Sequence, residues 1–552
     1  MPTKPNFIER AIAALSPSWA YQRHRARAAT ALSGGYVGAS YRDNLFNWRP
    51  GGEDADSAMT GDLPELRNRS RDLVRNSPIA GGAIETQVTN VVGTGLTMQP
   101  RINAKLLGLD DDAAEEWQCQ VEAEWRLWAD SELADAAGQL SFYELQDLAF
   151  RSHLESGDSF VVLAQVQRPG WPHRLALQVI EADRVSNPQW KQDTYEMVQG
   201  IERSPSGEAV AVHIADRHPG NRLQINLTKW TRVEMRGAQS GRRNVLHLFR
   251  KLRPGQTRGV PCLAPIVEQL KQLTRYSAAE VDAAVNSASM AVFVKMDREA
   301  FEELFDDESQ AQLIDQAKKW DGSLKPGAAV NLLPGESIEA PALGRPNPNF
   351  DPFVAAVLKQ IGVGLNIPYE VLTKHFSSSY SAARGALLDA WRTFKVRRTW
   401  LAAKMCQPVY EEWLADAVAS GRIQAPGFFS DPLIRKAWCC AHWVGDGPGS
   451  IDPLKEAKAA QLRIAEGITT LPEEIVAYDG GDWDAKHAVS ARVHEERVEA
   501  GLAAPITAPP MPGQPGQAMP AAPAMPEDDA EGPEDGQQQP GNGGDSGDGE
   551  GD

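Results

Sequence analysis

Apolar residues recur every three or four positions along much of this chain and alternate only in short runs, so helices with a few intervening strands are expected. LPELRNRSRDLVRNSPIAGGAIETQVTN (63–90) carries a helical pattern, with Pro78 marking entry into a second helix. Val91–Pro100 reads as a strand broken by a Gly-Thr-Gly turn. Over 111–155 the helical period returns, with Trp117, Val121, Trp125 and Trp128 on one face, a buried stripe rather than a stacking platform. Phe160–Ala164, Leu175–Ile180, Val210–Ile214 and Val245–Phe249 read as strands. Residues 80–250 are thus expected to form a mixed α+β domain.

Leu263–Ala291 is long, uninterrupted and rich in small residues (Ala278, Ala279, Ala283, Ala284, Ser287, Ala288). At about 1.5 Å per residue such a helix spans roughly 40 Å. Its small side chains suit close packing against copies of itself, although a single core helix fits the same pattern. A strand (Val292–Met296), an acidic helix (Glu299–Trp320) and a second strand (Ala328–Leu333) follow, then a second long helix, Phe350–Asn366. The pattern predicts a stalk of two helices carrying a small α/β knob. After the polar loop Thr373–Ser381, Ala382–Ser420 is helical, with Leu387, Trp391 and Phe394 on its apolar face and a kink expected at Pro408. Ile451–Gly467 is a further helix, capped by Asp452-Pro453 and Gly467.

With 552 residues, several domains are expected. The sequence holds no apolar run long enough to span a membrane and no apolar stretch of the secretory type, so no membrane partner is expected. The net charge of −18 is uneven: residues 504–552 hold ten acidic and no basic residues, leaving −18 + 10 = −8 for the rest. That segment is expected to be disordered. A mildly acidic body argues against coating nucleic acid, but not against surrounding it loosely.

Candidate chemistry is sparse. Five scattered cysteines (Cys119, Cys262, Cys406, Cys439, Cys440) fit a reducing compartment. Cys439, Cys440 and His442 cluster without a zinc spacing, and Gly93-Thr94-Gly95 lacks the further glycine or Gly-Lys-Ser of a phosphate loop. A Ser381-His375-Asp389 triad can be drawn, but on a loop without the rigid scaffold that triads need. No catalytic residue, cofactor or metal is expected. The polar loop suits weak contact with something that slides past, with a solvated turn between helices as the alternative reading.

The segments LRNRSRDLVRNSPIAGGAIETQVTNVVGTGL (66–96), ESGDSFVVL (155–163), VIEADRV (179–185), HPGN (218–221) and NVLHLFRKLRPGQTRGVPCLAPIVEQL (244–270) stand in a telling order. So do LLPGESIE (332–339), GLNIPYEVL (364–372), YSAARGALLDAWR (380–392) and IDPLKEAKAA (451–460). Together they resemble the lambda-like family of tailed-bacteriophage portal proteins, with a longer link between Trp443 and Asp452 as one departure. The resemblance implies a multi-domain α+β portal fold and a homo-oligomeric ring, usually a dodecamer, at one capsid vertex of the virion. It would be assembled in the host bacterial cytoplasm. The ring would be the conduit for packaging and ejecting double-stranded DNA, without sequence specificity. Implied partners are the terminase large subunit, major capsid and scaffold proteins, and head-completion or tail-connector proteins.

On that map residues 1–60 form a flexible arm, 61–261 and 384–429 the wing, 262–291 and 348–368 the stem, and 292–347 the clip. Residues 369–383 form a tunnel loop, 430–502 the crown, and 503–552 the acidic tail. The DNA-channel residues implied are Lys374, His375, Ser377, Ser378, Ser379, Tyr380 and Arg384. Arg392, Lys395, Arg397 and Arg398 would face DNA or form salt bridges to a neighbouring subunit. The clip's acidic helix (Glu299, Glu302, Glu303, Asp306, Asp307, Glu308) would favour a basic partner surface or simply confer solubility.

Overall fold

Two prolines open the first pair of helices in the computed structural model. It describes residues 18, 19, 45, 47–221, 228–289, 293–296, 306, 308, 309, 312, 336–339, 347–376, 379–448, 453–479 and 483–502. Pro64 lies in the first turn of α1 (Leu63–Asn76) and Pro78 begins α2 (Pro78–Val91), where a missing N–H breaks no helical bond. The Ser77 hydroxyl accepts from Ala80 N at 3.4 Å, capping the second helix. The strand expected over Val91–Pro100 is shorter than the pattern suggested. Helix runs through Val91, and only Thr97–Pro100 (β1) is extended.

Helix α3 (Asp111–Ala129) buries the expected stripe, since Trp117, Val121, Trp125 and Trp128 are all withdrawn from solvent. Helix α4 (Phe142–Ser156) starts at a capping box between Ser141 and Glu144. It ends at Gly157, whose φ of +89° and contact with the 259–260 backbone exclude a side chain. The chain turns there directly into β2 (Asp158–Gln165), the centre of an antiparallel sheet with β3 (Leu175–Glu181). A second antiparallel sheet takes β4 (Met197–Val198), β5 (Ile201–Arg203), β6 (Ala209–Ala215) and β7 (Trp230–Glu234) in chain order. Strand β8 (Val245–Phe249) then returns to the other edge of β2. The four expected strands are present, each within two residues of its expected bounds.

Helix α5 (Val267–Ser289) follows a short 3-10 turn. Strand β9 (Phe293–Met296) pairs antiparallel with β10 (Glu336–Glu339), and the expected strand Ala328–Leu333 lies outside the described residues. Most of the expected acidic helix, Glu299–Trp320, lies outside them too. Helix α6 (Phe350–Leu365) ends at Asn366 in the left-handed region, and α7 (Tyr369–Thr373) and α8 (Tyr380–Leu401) flank the polar loop.

At Pro408 the expected kink takes another form. Five residues of π-helix, Ala402–Cys406, precede α9 (Gln407–Ala419). A proline cannot donate to the carbonyl four residues back, and a widened turn avoids the clash. Helix α10 (Pro432–Trp438) leads into β11 (Ala441–Val444), which pairs with β1 across most of the chain. Helices α11 (Pro453–Ala465) and α12 (Leu471–Asp479) are joined through Glu474, which accepts two bonds from Arg463, both at 2.7 Å. The start cap expected at Asp452 lies outside the described residues. A last helix, α13 (Trp483–Glu499), runs into a second unit that begins at His487.

The main core is aromatic. The Trp125 ring lies 5.0 Å from Trp128, 5.2 Å from Phe142 and Trp413, and 5.6 Å from Tyr410. Tilted and edge-on pairs of this kind add to simple area burial. They fasten α3 and α4 to α9, so segments almost 300 residues apart share one core.

Candidate nucleic-acid interface

The loop between α7 and α8 stands on a rigid base. Gly362 lets Ile367 fold back: its own Cβ would lie 2.6 Å from the Ile367 carbonyl, and the Ile367 N–H donates to Gly362 O at 2.9 Å. Val371 and Leu372 then bury one side of α7 in the main core. The short helix stops at Lys374, which adopts φ +54° and ψ +31° and donates its N–H to Glu370 O. His375 N donates to the same carbonyl at 3.1 Å. That left-handed closure normally falls to glycine, and a side chain there costs about 1 kcal/mol.

Lys374, His375 and Phe376 are exposed. Ser377 and Ser378 lie outside the described residues. Ser379 is exposed and extended, and its carbonyl accepts from Ala383 N at 2.9 Å, starting α8. Tyr380 is the first helical residue. Arg384 is less open than expected, its guanidinium 3.9 Å from Glu456 on α11.

The bases further along α8 divide. Arg392 and Lys395 are exposed. Arg397 is half-buried, and burial lowers its pKa. Arg398 is engaged within its own chain. Its guanidinium donates to the carbonyls of Asn90 and Val91 at the end of α2, and to the Asp446 carbonyl, at 2.8–3.0 Å. It also lies 5.1 Å over the Trp391 ring. Two orphan carbonyls of a helix end are thereby satisfied.

The Gly-Thr-Gly turn is likewise structural. The Asp446 carboxylate accepts from Thr94 N and Thr94 Oγ1, both at 2.9 Å, and a Cβ on Gly93 would lie 2.1 Å from it. A carboxylate occupies the ground a phosphate would need. His375, Ser381 and Asp389 are all exposed, and no hydrogen bond joins them among the described residues. Cys439 is buried and its thiol is pushed up to about 12 by burial, which disfavours the thiolate a metal requires. Among the described residues no three His, Cys, Asp or Glu side chains are grouped to hold a metal.

One constellation had no signal in local spacing. Asp158, fully buried at the start of β2, accepts from Arg258 Nε at 2.5 Å, Arg67 at 3.0 Å and His247 Nε2 at 3.2 Å. Burial alone would raise its carboxyl, but the two guanidiniums and His247 outweigh that and hold it well below its ordinary value. Arg258 also donates to the carbonyls of Ala182, Val185 and Gln199. Arg71 pairs with Asp183 beside it. The segments ESGDSF, EADRV and TRGVP therefore meet in one ion network that locks α1 to both sheets. Among the described residues its charges are paired with one another.

Comparison with known proteins gives a consistent result. The model of the family described as phage portal protein, lambda family, matches residues 42–398. Portal protein B of Escherichia phage lambda is 27% identical over 491 residues, covering 85% of this chain and 91% of that protein. The portal protein of Escherichia phage N15 is also 27% identical, with the same coverage. Among solved structures, the neck of an empty GTA particle computed with C6 symmetry aligns over 80% of this chain and 94% of that one, at 14% identity and a TM-score of 0.46.

Proposed function

Because the chain belongs to the lambda family of phage portal proteins, we propose that it forms a homo-oligomeric ring whose inner wall carries the Lys374 loop against double-stranded DNA. The family is a structural, non-enzymatic component of the capsid, and this chain is a head-tail connector of the virion. What is proposed beyond that is the ring of twelve copies, the DNA contact and the partners. On this reading 61–261 with 384–429 make the wing, 262–291 with 348–368 the stem, 292–347 the clip and 430–502 the crown. The clip docks the terminase large subunit during packaging and head-completion proteins afterwards. Capsid and scaffold proteins surround the wing, and assembly occurs in the host cytoplasm.

The observation that carries the loop assignment is Lys374 itself, an exposed cation in a left-handed conformation where glycine would be easier. A position that bears such strain is a candidate for function. A single lysine attracts a phosphate weakly and through screening salt. Repeated around a ring, the same charge makes a collar that follows the backbone without reading bases. Serines beside it add small donors and little drag.

Deletion of Lys374–Ser379 tests the assignment in phage assembly. Rings of normal size are expected by negative-stain microscopy, together with heads that fail to fill or to retain DNA. Lys374→Gly, which also relieves the left-handed backbone, should share the packaging defect while unfolding about 1 kcal/mol later. Normally filled heads from both variants would remove the loop from the channel.

A further inference from the structure

A cleft of about 580 Å³ opens between the β5–β6 hairpin, the segment after β8 and the π turn after α8. That volume falls in the range of small-ligand sites, about 300–1,000 Å³. Its lining includes Arg203, Arg250, Lys251 and Lys404, and no carboxylate at all. Arg203 is already neutralised, donating to Asp56 at 2.7 Å. Arg250, Lys251 and Lys404 are exposed and have no acidic partner among the described residues. Half-buried Arg397 lies close enough for the Arg250 charge to add to the effect of burial on it.

The backbone beside two of these cations is anchored. Gln256 Oε1 accepts from Leu252 N at 2.7 Å and Arg253 N at 3.1 Å, while its amide donates to the Arg258 carbonyl at 2.8 Å. The turn just after Arg250 and Lys251 is thus stapled to the buried Asp158 network. Lys404 sits within the π turn, a distortion that recurs at functional sites. Trp400 and Phe249 supply apolar wall beside these charges.

We propose that this cleft binds a phosphate group, with the wall beside Trp400 and Phe249 accepting the sugar or ring attached to it. Three unpaired cations exceed what one carboxylate would neutralise, and match a phosphate monoester or successive phosphodiesters. The phosphate comes either from a free nucleotide or from a DNA backbone presented at the rim.

Isothermal titration of the full-length protein with dAMP, a short DNA duplex and hexaglutamate tests this. Binding of dAMP or duplex is expected, weakened about tenfold or more in Lys251→Gln/Lys404→Gln, since charge-assisted hydrogen bonds to phosphate are among the stronger ones. Arg250→Gln should act the same way, and Lys105→Gln, an exposed lysine on another element, should not. Both cleft lysines are exposed, so an unchanged melting temperature is expected and separates lost binding from lost fold. Saturation by dAMP assigns the site to free nucleotide, whereas duplex binding alone assigns it to the DNA backbone. Binding indifferent to the cleft substitutions, no binding of either phosphate probe, or tighter binding of hexaglutamate would overturn the proposal.

Discussion

Asp158 gathers two guanidiniums and an imidazole around one buried carboxylate. It is buried with Arg67 and Arg258, and removing one member of such a set strands the others in low dielectric. Asp158→Asn should therefore lose about 3–5 kcal/mol at neutral pH, measured by urea unfolding. Acid acts in the same direction. The depressed Asp158 carboxyl contributes stability that is whole above its unfolded pKa of about 3.9 and is lost as pH falls below it. A second loss begins earlier, at His153, whose pKa burial lowers to about 4. Between about pH 6.5 and 4 the unfolded chain takes up a proton there that the folded chain does not, so stability falls by roughly 3 kcal/mol across that window. His247, also lowered by burial, adds to it. His153→Gln should flatten the decline, and an unchanged slope would assign it to other groups.

At the residue scale, what could be read in advance was what repeats. The Trp117–Trp128 stripe was legible because a 3.6-residue period is local. The partners of Asp158 stand 89, 91 and 100 residues away, beyond any spacing argument. The left-handed backbone of Lys374 was hidden because it depends on how α7 closes, and the internal role of Arg398 because its acceptors are backbone carbonyls.

Elements followed the same rule. The long helices and the four stronger strands came from periodicity, whereas β4 and β5 are too short to leave a pattern. The knob strand expected at Ala328–Leu333 lies outside the described residues, and the half-charged Glu336–Glu339 that pairs with β9 carried no hydropathy signal. The β1–β11 ribbon depends on the turn that Gly93, Thr94 and Asp446 close together. Asp446→Ala should leave the aromatic core intact but speed amide exchange at His442 and Trp443, measured by deuterium uptake. Gly93→Val, which combines the clash with an unfavourable positive φ, should do so more strongly. Protection equal to the parent chain in both would show that the strands hold without the turn.

For the whole molecule, the telling surface is on the long helices. Helix α5 buries Leu270 and Leu273 yet exposes Val281 and Val285; α6 buries Leu358 and Ile361 yet exposes Val363 at 79%. Leu388 and Val396 of α8 are exposed as well. A second apolar stripe on a helix already packed along one side suits neighbouring copies in a ring. Val281→Asp/Val285→Asp should shift the protein toward smaller species in sedimentation velocity while leaving the melting temperature of the protomer within about 2 °C. Unchanged assembly would move the subunit contact elsewhere.

The ribbon of β1 and β11 has a further consequence, in time rather than space. Thr97 pairs with Val444, so the first strand leaves the ribosome 347 residues before its partner. At roughly 5–20 residues per second, that is a wait of about 20–70 s. Throughout it, β1 is an open strand edge able to pair with the same strand on another nascent chain. Each protomer is therefore most exposed to mispairing before it is complete, and the late arrival of Asp446 ends that interval.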